Sequence, residues 1–260
     1  MAITLRSRRE IELMRKAGNV VADVLSKLQE IAAPGVTTDR LDAVASQMTA
    51  DAGAQALFNG VRNPVAPAPF PASICVSVNE QVVHGIPSQN VKLRNGDILS
   101  VDFGVRLDGY CGDAAVTIAI GGISEDKRRL IDVTKHVLDI AIAESAPAVR
   151  WSRIAAKMQD YAESAGFSVV KDFVGHGIGR KMHEEPRVPN FVSDDLLSDD
   201  IILAEGMTLA VEPMINAGAG GVRTLKNGWT VVTKDGKCSA HFEHTIAIVE
   251  NGCEVLTRKA

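Results

Sequence analysis

Four acidic residues of this chain interrupt apolar, strand-like stretches. Asp102 sits in Asp97-Ile98-Leu99-Ser100-Val101-Asp102-Phe103-Gly104-Val105. Period-two alternation sends Leu99, Val101, Phe103 and Val105 to one face, and Ser100, Asp102 and Gly104 to the other. A carboxylate in mid-strand needs a partner, because an unpaired buried charge is expensive. Asp113 follows across a turn, on the face shared by Cys111, Ala115 and Thr117. Alone, the two are equally well read as ordinary polar strand positions. Carboxylates on adjacent strands repel unless a proton or a cation lies between them, however, and a metal is the simpler remedy.

Glu212 ends Thr208-Leu209-Ala210-Val211-Glu212 ahead of Pro213, and Glu243 lies in Phe242-Glu243-His244-Thr245 before an apolar run. His176 falls in Gly175-His176-Gly177-Ile178-Gly179-Arg180, and His183 precedes Glu184-Glu185-Pro186. Glycines beside a histidine leave its ring unobstructed. The lysine and hydroxyl of a phosphate loop are missing. A histidine satisfied in a polar loop is the simpler account of either one alone. The sum says more. Asp102, Asp113, Glu212 and Glu243 carry charge that two divalent cations would balance, and His176 adds a neutral nitrogen. Carboxylate-dominated sites suit paired first-row ions, which make a hydroxide nucleophile from bound water near neutral pH. Metal-assisted hydrolysis is the reaction class that follows.

The elements that must position these residues occur twice. Ser7 and Glu10 form a capping-box pattern, and Ile11, Met14, Gly18, Val21, Leu25 and Leu28 recur at helical spacing up to Ala33-Pro34-Gly35. A second helix from Thr37 or Thr38 buries Leu41, Val44, Ala45 and Met48 and stops at Gly53. Strands are expected at 73–78, 97–105 and 110–120, with a hairpin turn at Leu107-Asp108-Gly109. Ser124 then starts a helix that ends at Ala146-Pro147, and another carries Ile154, Met158 and Tyr161 to Gly166. Pro34 and Pro147, Leu41 and Ile154, and Gly53 and Gly166 share one offset of 113 residues, which suggests a duplicated helix–helix–strand unit. Strands return at 167–172, 207–212, 230–234 and 241–249, and the polar stretch 186–204 reads as a loop. The expected architecture is α+β: one catalytic domain over 1–260, with halves of roughly 1–121 and 122–260. Helices would lie outside one curved antiparallel sheet, with a cleft between the halves.

Composition narrows the class. With 46% apolar and 23% charged residues, disorder is excluded. No run of 18 apolar residues suggests a membrane span, and no apolar segment follows the arginines of the first ten residues as a signal peptide requires. A net charge of −4 and 4% aromatics argue against dedicated nucleic-acid binding. Cys75, Cys111, Cys238 and Cys253 lack a CxxC spacing, which favours reduced thiols and a cytoplasmic protein. No obvious oligomerisation segment is present, so a monomer is expected.

The stretches SICVSVNEQVVHGIP, GDILSVDFGVRLDGYCGD, GHGIGRKMHEEP, TLAVEPM, RTLKNGWTVVTKDG and FEHTIAIVENG, in this order, resemble the type I methionine aminopeptidases in their short, bacterial-like form. EIELMRKAGNVVADVL resembles that family's first helix. The resemblance implies the two-fold "pita-bread" (creatinase/aminopeptidase) fold. It implies Asp102, Asp113, His176, Glu212 and Glu243 as ligands of two divalent ions (Co, Mn, Fe or Zn), with Asp113 and Glu243 bridging. His84 would contact the scissile amide, His183 the substrate carbonyl, and Glu212 would also shuttle a proton. Phe70, Cys75 and Trp229 would line the methionine pocket, and Asn79 and Ser239 match positions linked to a monovalent cation in some relatives. The implied substrate is the N-terminal peptide of a nascent protein, methionine followed by a small residue.

The chain also departs from that pattern. Asn59–Pro69 replaces a short Gly- and Tyr-bearing loop, Met182 stands where many relatives have an aromatic, and Ala114 and Ala115 replace hydroxyl residues. Two alternatives share the fold: a proline-specific aminopeptidase or prolidase, which usually has an extra N-terminal domain, and a non-catalytic binding protein, which typically loses ligands. Arg6, Arg8, Arg9, Arg15 and Lys16 could contact the ribosome, although a solvated helix face is the simpler account.

Overall fold

Ser7 opens the first helix as its spacing to Glu10 predicts. In the computed structural model, which describes residues 3–258, the Ser7 side chain accepts the Glu10 N–H and the Glu10 carboxylate accepts the Ser7 N–H. Met1 and Ala2, the start of the stretch read against a signal peptide, lie outside the described residues. α1 spans Arg8–Ile31 and α2 Thr38–Asp51; β1 (Gln55–Ala56), β2 (Cys75–Val78) and β3 (Gln81–Val83) lead to the hairpin of β4 (Ile98–Leu107) and β5 (Tyr110–Ala119). The pattern restarts with α3 (Glu125–Glu144) and α4 (Trp151–Ser164), then β6 (Ser168–Val169), β7 (Gly175–Gly177), β8 (Glu184–Val188), α5 (Asp194–Ser198) and β9 (Thr208–Val211). β10 (Met214–Asn216), β11 (Val222–Thr224), β12 (Val231–Thr233), β13 (Ser239–His241), β14 (Glu243–Val249) and β15 (Gly252–Val255) complete the order.

Nine strands form one antiparallel sheet in the order β1-β4-β5-β14-β9-β7-β8, with β2 added on β4 and β15 on β14. The β5–β14 pair joins the two halves. The turn between β4 and β5 is two residues, Asp108 and Gly109, both at positive φ (51° and 81°), as a tight hairpin with right-handed strand twist requires. Each half packs its own helix pair on the sheet. Val21, Leu25, Leu28 and Leu41 cover Leu99, Val101, Phe103 and Val105, while Leu130, Val137, Trp151, Ile154 and Met158 cover Leu209, Ile246 and Ile248.

The duplication survives in detail. Gly35 and Ala148 are both left-handed (φ 92° and 66°), and the bridges Thr37–Lys92 and Arg150–Ile202 follow them. Gly96 and Gly206 (φ 96° and 89°) precede β4 and β9, offset by 110 residues, and the same offset relates Asp102 to Glu212. The two acids therefore occupy equivalent places in the two halves.

Three details differ from the expectations. The stretch 186–204 is not all loop: β8 adds an edge strand that tolerates Pro186, and Ser193 caps α5, whose Leu196 is buried. Tyr161 is 37% exposed and rests on His136, while Ala162 takes the inward position. The strand expected at 241–249 is broken at Phe242, so Ser239–His241 pairs with β10 in a separate sheet.

Candidate metal centre

Register places the acids. On the β4–β5 hairpin Asp102 lies opposite Ala115 and Asp113 opposite Gly104, and Ala115 is in turn opposite Glu243 on β14. Asp102 and Glu243 thus flank one small residue across three strands. Gly104 leaves room for the Asp113 carboxyl: a Cβ there would fall 3.0 Å from Asp113 Oδ1 and 3.3 Å from Met182 Cε. Thr245 Oγ1 accepts the Asp113 N–H at 3.0 Å and donates to Asp113 O at 2.8 Å. His176 on β7 lies opposite Ala210 of β9, and Glu212 follows the end of β9.

Asp113, His176 and Glu243 bring one ligand atom each within 4.8 Å of one another. Glu212 Oε1 joins them at 3.6 Å from His176 Nε2, and Asp113 Oδ2 is 4.0 Å from the same nitrogen. Asp102 lines the same cleft. Asp113 and Glu243 are each 2% exposed. Burial pushes all four carboxyls above their ordinary range, and for Asp102, Glu212 and Glu243 the neighbouring acids push further. Asp102 Oδ1, Asp113 Oδ1 and Glu243 Oε1 are buried with no hydrogen-bond partner. Buried anionic oxygens without donors are costly, so this donor set fits hard or borderline divalent ions that supply the missing positive charge.

His176 is prepared as a neutral ligand. Burial, then the nearby His183, lowers its pKa to about 4, and its Nδ1 lies 3.0 Å from Gly177 O. With the proton on Nδ1, the Nε2 lone pair is free for a cation held among the acids. His183 stacks edge-on at 4.3 Å between ring centroids and remains exposed to the cleft. His84, at positive φ (58°), meets the Phe173 ring edge-on at 5.6 Å, and burial lowers its pKa to about 4.

A cleft of about 840 Å³ joins these groups to an apolar wall. Phe70, Cys75 and Trp229 stand there together, with Trp229 5.3 Å from Phe70 in a T-shaped contact. Phe58 completes the wall at 6.5 Å from Phe70 and was not singled out by sequence; its only signal is an aromatic in a chain with few. The unusual Asn59–Pro69 run is tied to the wall by hydrogen bonds. Phe70 N–H donates to Val61 O at 2.8 Å, Asn63 Nδ2 to Gly228 O at 2.9 Å, and Trp229 Nε1 to Ala68 O at 2.9 Å. Asn79 and Ser239 touch through Ser239 N–H to Asn79 O at 2.9 Å, while the Asn79 side chain binds Lys127 Nζ at 3.0 Å. Arg6 is not on a solvated helix face: it is buried and paired with Glu184, whereas Arg8, Arg9 and Lys16 are exposed.

The profile of metallopeptidase family M24 matches residues 12–250. A methionine aminopeptidase of Clostridium perfringens is 47% identical over 98% of both chains. The crystal structure of a methionine aminopeptidase from Thermotoga maritima superposes with a TM-score of 0.93 at 40% identity, covering 99% of this chain and 100% of that one. The chain belongs to the methionine aminopeptidase family. The Pyrococcus furiosus prolidase, at 19% identity and a TM-score of 0.75 over 66% of its length, shares the fold alone. The α+β pita-bread architecture, a metallopeptidase activity and the use of divalent metal follow from this membership and agree with the cluster of donors. No helix among the described residues is long and apolar enough to cross a membrane.

Proposed function

We propose that this protein removes the N-terminal methionine from newly made polypeptides whose second residue is small, using two divalent ions held by Asp102, Asp113, His176, Glu212 and Glu243. The observation that carries the proposal is a carboxylate cluster with unpartnered buried oxygens in one cleft with an apolar wall of Phe58, Phe70, Cys75 and Trp229. Ions held there would lower the pKa of a water and so supply a nucleophile near neutral pH. The chain's residues do the rest. Phe58, Phe70, Cys75 and Trp229 hold the methionine side chain, whose polarisable sulfur suits aromatic neighbours. His84, whose pKa burial lowers to about 4, supplies an N–H donor toward the scissile amide, and His183, whose pKa partial desolvation in the cleft also lowers, supplies one toward the carbonyl oxygen as it gains charge. Glu212 takes a proton from the attacking water and returns it to the leaving amine. Co, Mn, Fe(II) and Zn all suit these donors. One catalytic domain built from both halves, a cytoplasmic monomer, a monovalent cation beside Asn79 and Ser239, and a ribosome contact through the exposed Arg8, Arg9 and Lys16 complete the proposal.

Peptide choice tests it. Metal-restored protein is offered Met-Ala-Ser, Met-Lys-Ser and Ala-Pro-Ser separately. Free methionine from the first alone is the expected result; release of alanine from the third would place the chain with the proline-specific enzymes instead.

A further inference from the structure

Arg6 is a buried cation that neither the metal centre nor the methionine wall uses. It is 8% exposed, precedes α1, and lines the mouth of the cleft. Its N–H donates to Gly206 O at 2.7 Å, which fixes it against the second half. Its guanidinium pairs with Glu184 and lies against Gly179, where a Cβ would fall 2.1 Å from it. The other Glu184 oxygen accepts the Lys181 N–H at 3.0 Å. Glu184 therefore closes the turn 179–184, and that turn presents His183. A second route reaches the same turn from α1: Tyr110 OH donates to Glu10 at 2.9 Å and accepts from Arg180 at 2.9 Å. Burying a guanidinium is costly unless it is paired, and here one guanidinium nitrogen meets Glu184 while Nε has no hydrogen-bond partner, so the brace runs through a single contact.

We propose that Arg6 is a positioning residue for His183, acting through Glu184 to fix the turn from which His183 reaches the substrate carbonyl. The proposal rests on the role given to His183 above. Arg6→Met is expected to lower kcat on Met-Ala-Ser by about tenfold to a hundredfold, since a displacement of about 1 Å at a reacting group costs that much. KM and bound metal should change little. In a His183→Ala background the same substitution should cost less than about twofold, because the two changes act through one group. Arg6→Lys, which keeps a single charged donor for Glu184, should recover part of the loss. Hydrogen exchange of the Gly179 and Lys181 amides should quicken in Arg6→Met. Equal losses in both backgrounds would overturn the proposal by showing a general structural effect. Unchanged exchange in the turn would overturn it whatever the peptidase result. Should the wild-type protein release no methionine, the reaction proposed above falls, while the exchange rates still decide whether Arg6 braces the turn.

Discussion

One hydroxyl holds the backbone of Asp113 on both sides, since Thr245 Oγ1 bonds its N–H and its carbonyl. Thr245→Val leaves both groups buried without that partner, at a cost of about 1–3 kcal/mol. Thermal melts should show a lower Tm, and metal affinity should fall as Asp113 loosens. Gly104→Ala should weaken metal binding as well, because its Cβ would press on the Asp113 carboxyl; isothermal titration of the stripped protein with Mn(II) would show this. The acids themselves are legible in the sequence, because a charge inside an apolar alternating strand demands a counter-charge. Thr245, Gly104 and Phe58 are not. Their roles depend on which residues face them across strands or turns, and register is not written in a single sequence.

At the scale of elements, α1 is the most constrained. Gly18 lies so close to the C-terminal segment that a Cβ would meet Leu256 O at 2.1 Å, and a Cβ on Gly112 of β5 would fall 2.8 Å from Gly18 N. Gly18→Ala must push the helix off the C-terminal segment, so it should destabilise the fold by about 1–3 kcal/mol, read by chemical denaturation. The start of α1 is also pH-sensitive. The Ser7 backbone N–H first, then the Ser7 and Tyr110 hydroxyls, hold the Glu10 carboxyl at about 2, down from 4.5. A lowered carboxyl stabilises the folded chain above its ordinary value, and that contribution disappears as pH falls from 4.5 toward 2. The Tm advantage of the wild type over Glu10→Gln should therefore be full at neutral pH and vanish near pH 2. Helix limits are readable because caps and breakers are local: Ser7 with Glu10, Pro34-Gly35, Ser124 and Ala146-Pro147. β7 and β8 are not, since three- and five-residue strands carry too little alternation and Pro186 argues against one.

Across the whole molecule, the proposed ligands come from both halves: Asp102 and Asp113 from the first hairpin, and from the second half His176 and Glu243 on strands and Glu212 just after β9. Bound ions would thus join the halves. Ligand linkage predicts a gain of about 2.7 kcal/mol at a free-ion concentration about a hundred times Kd, seen as a higher Tm on adding metal to stripped protein. The duplicated plan is visible as a constant offset between helix ends. The equivalence of Asp102 and Glu212 is not, because the offset shifts by three residues between the helices and the strands.

Methionine release from Met-Ala-Ser by chelator-stripped protein, followed while Mn(II) or Co(II) is returned, tests the metal centre most directly. The expected result is no release without metal, activity that saturates as the ions fill the site, and no recovery in Asp113→Asn or Glu243→Gln. Full activity in protein shown metal-free by elemental analysis, or unimpaired activity in either variant, would contradict it.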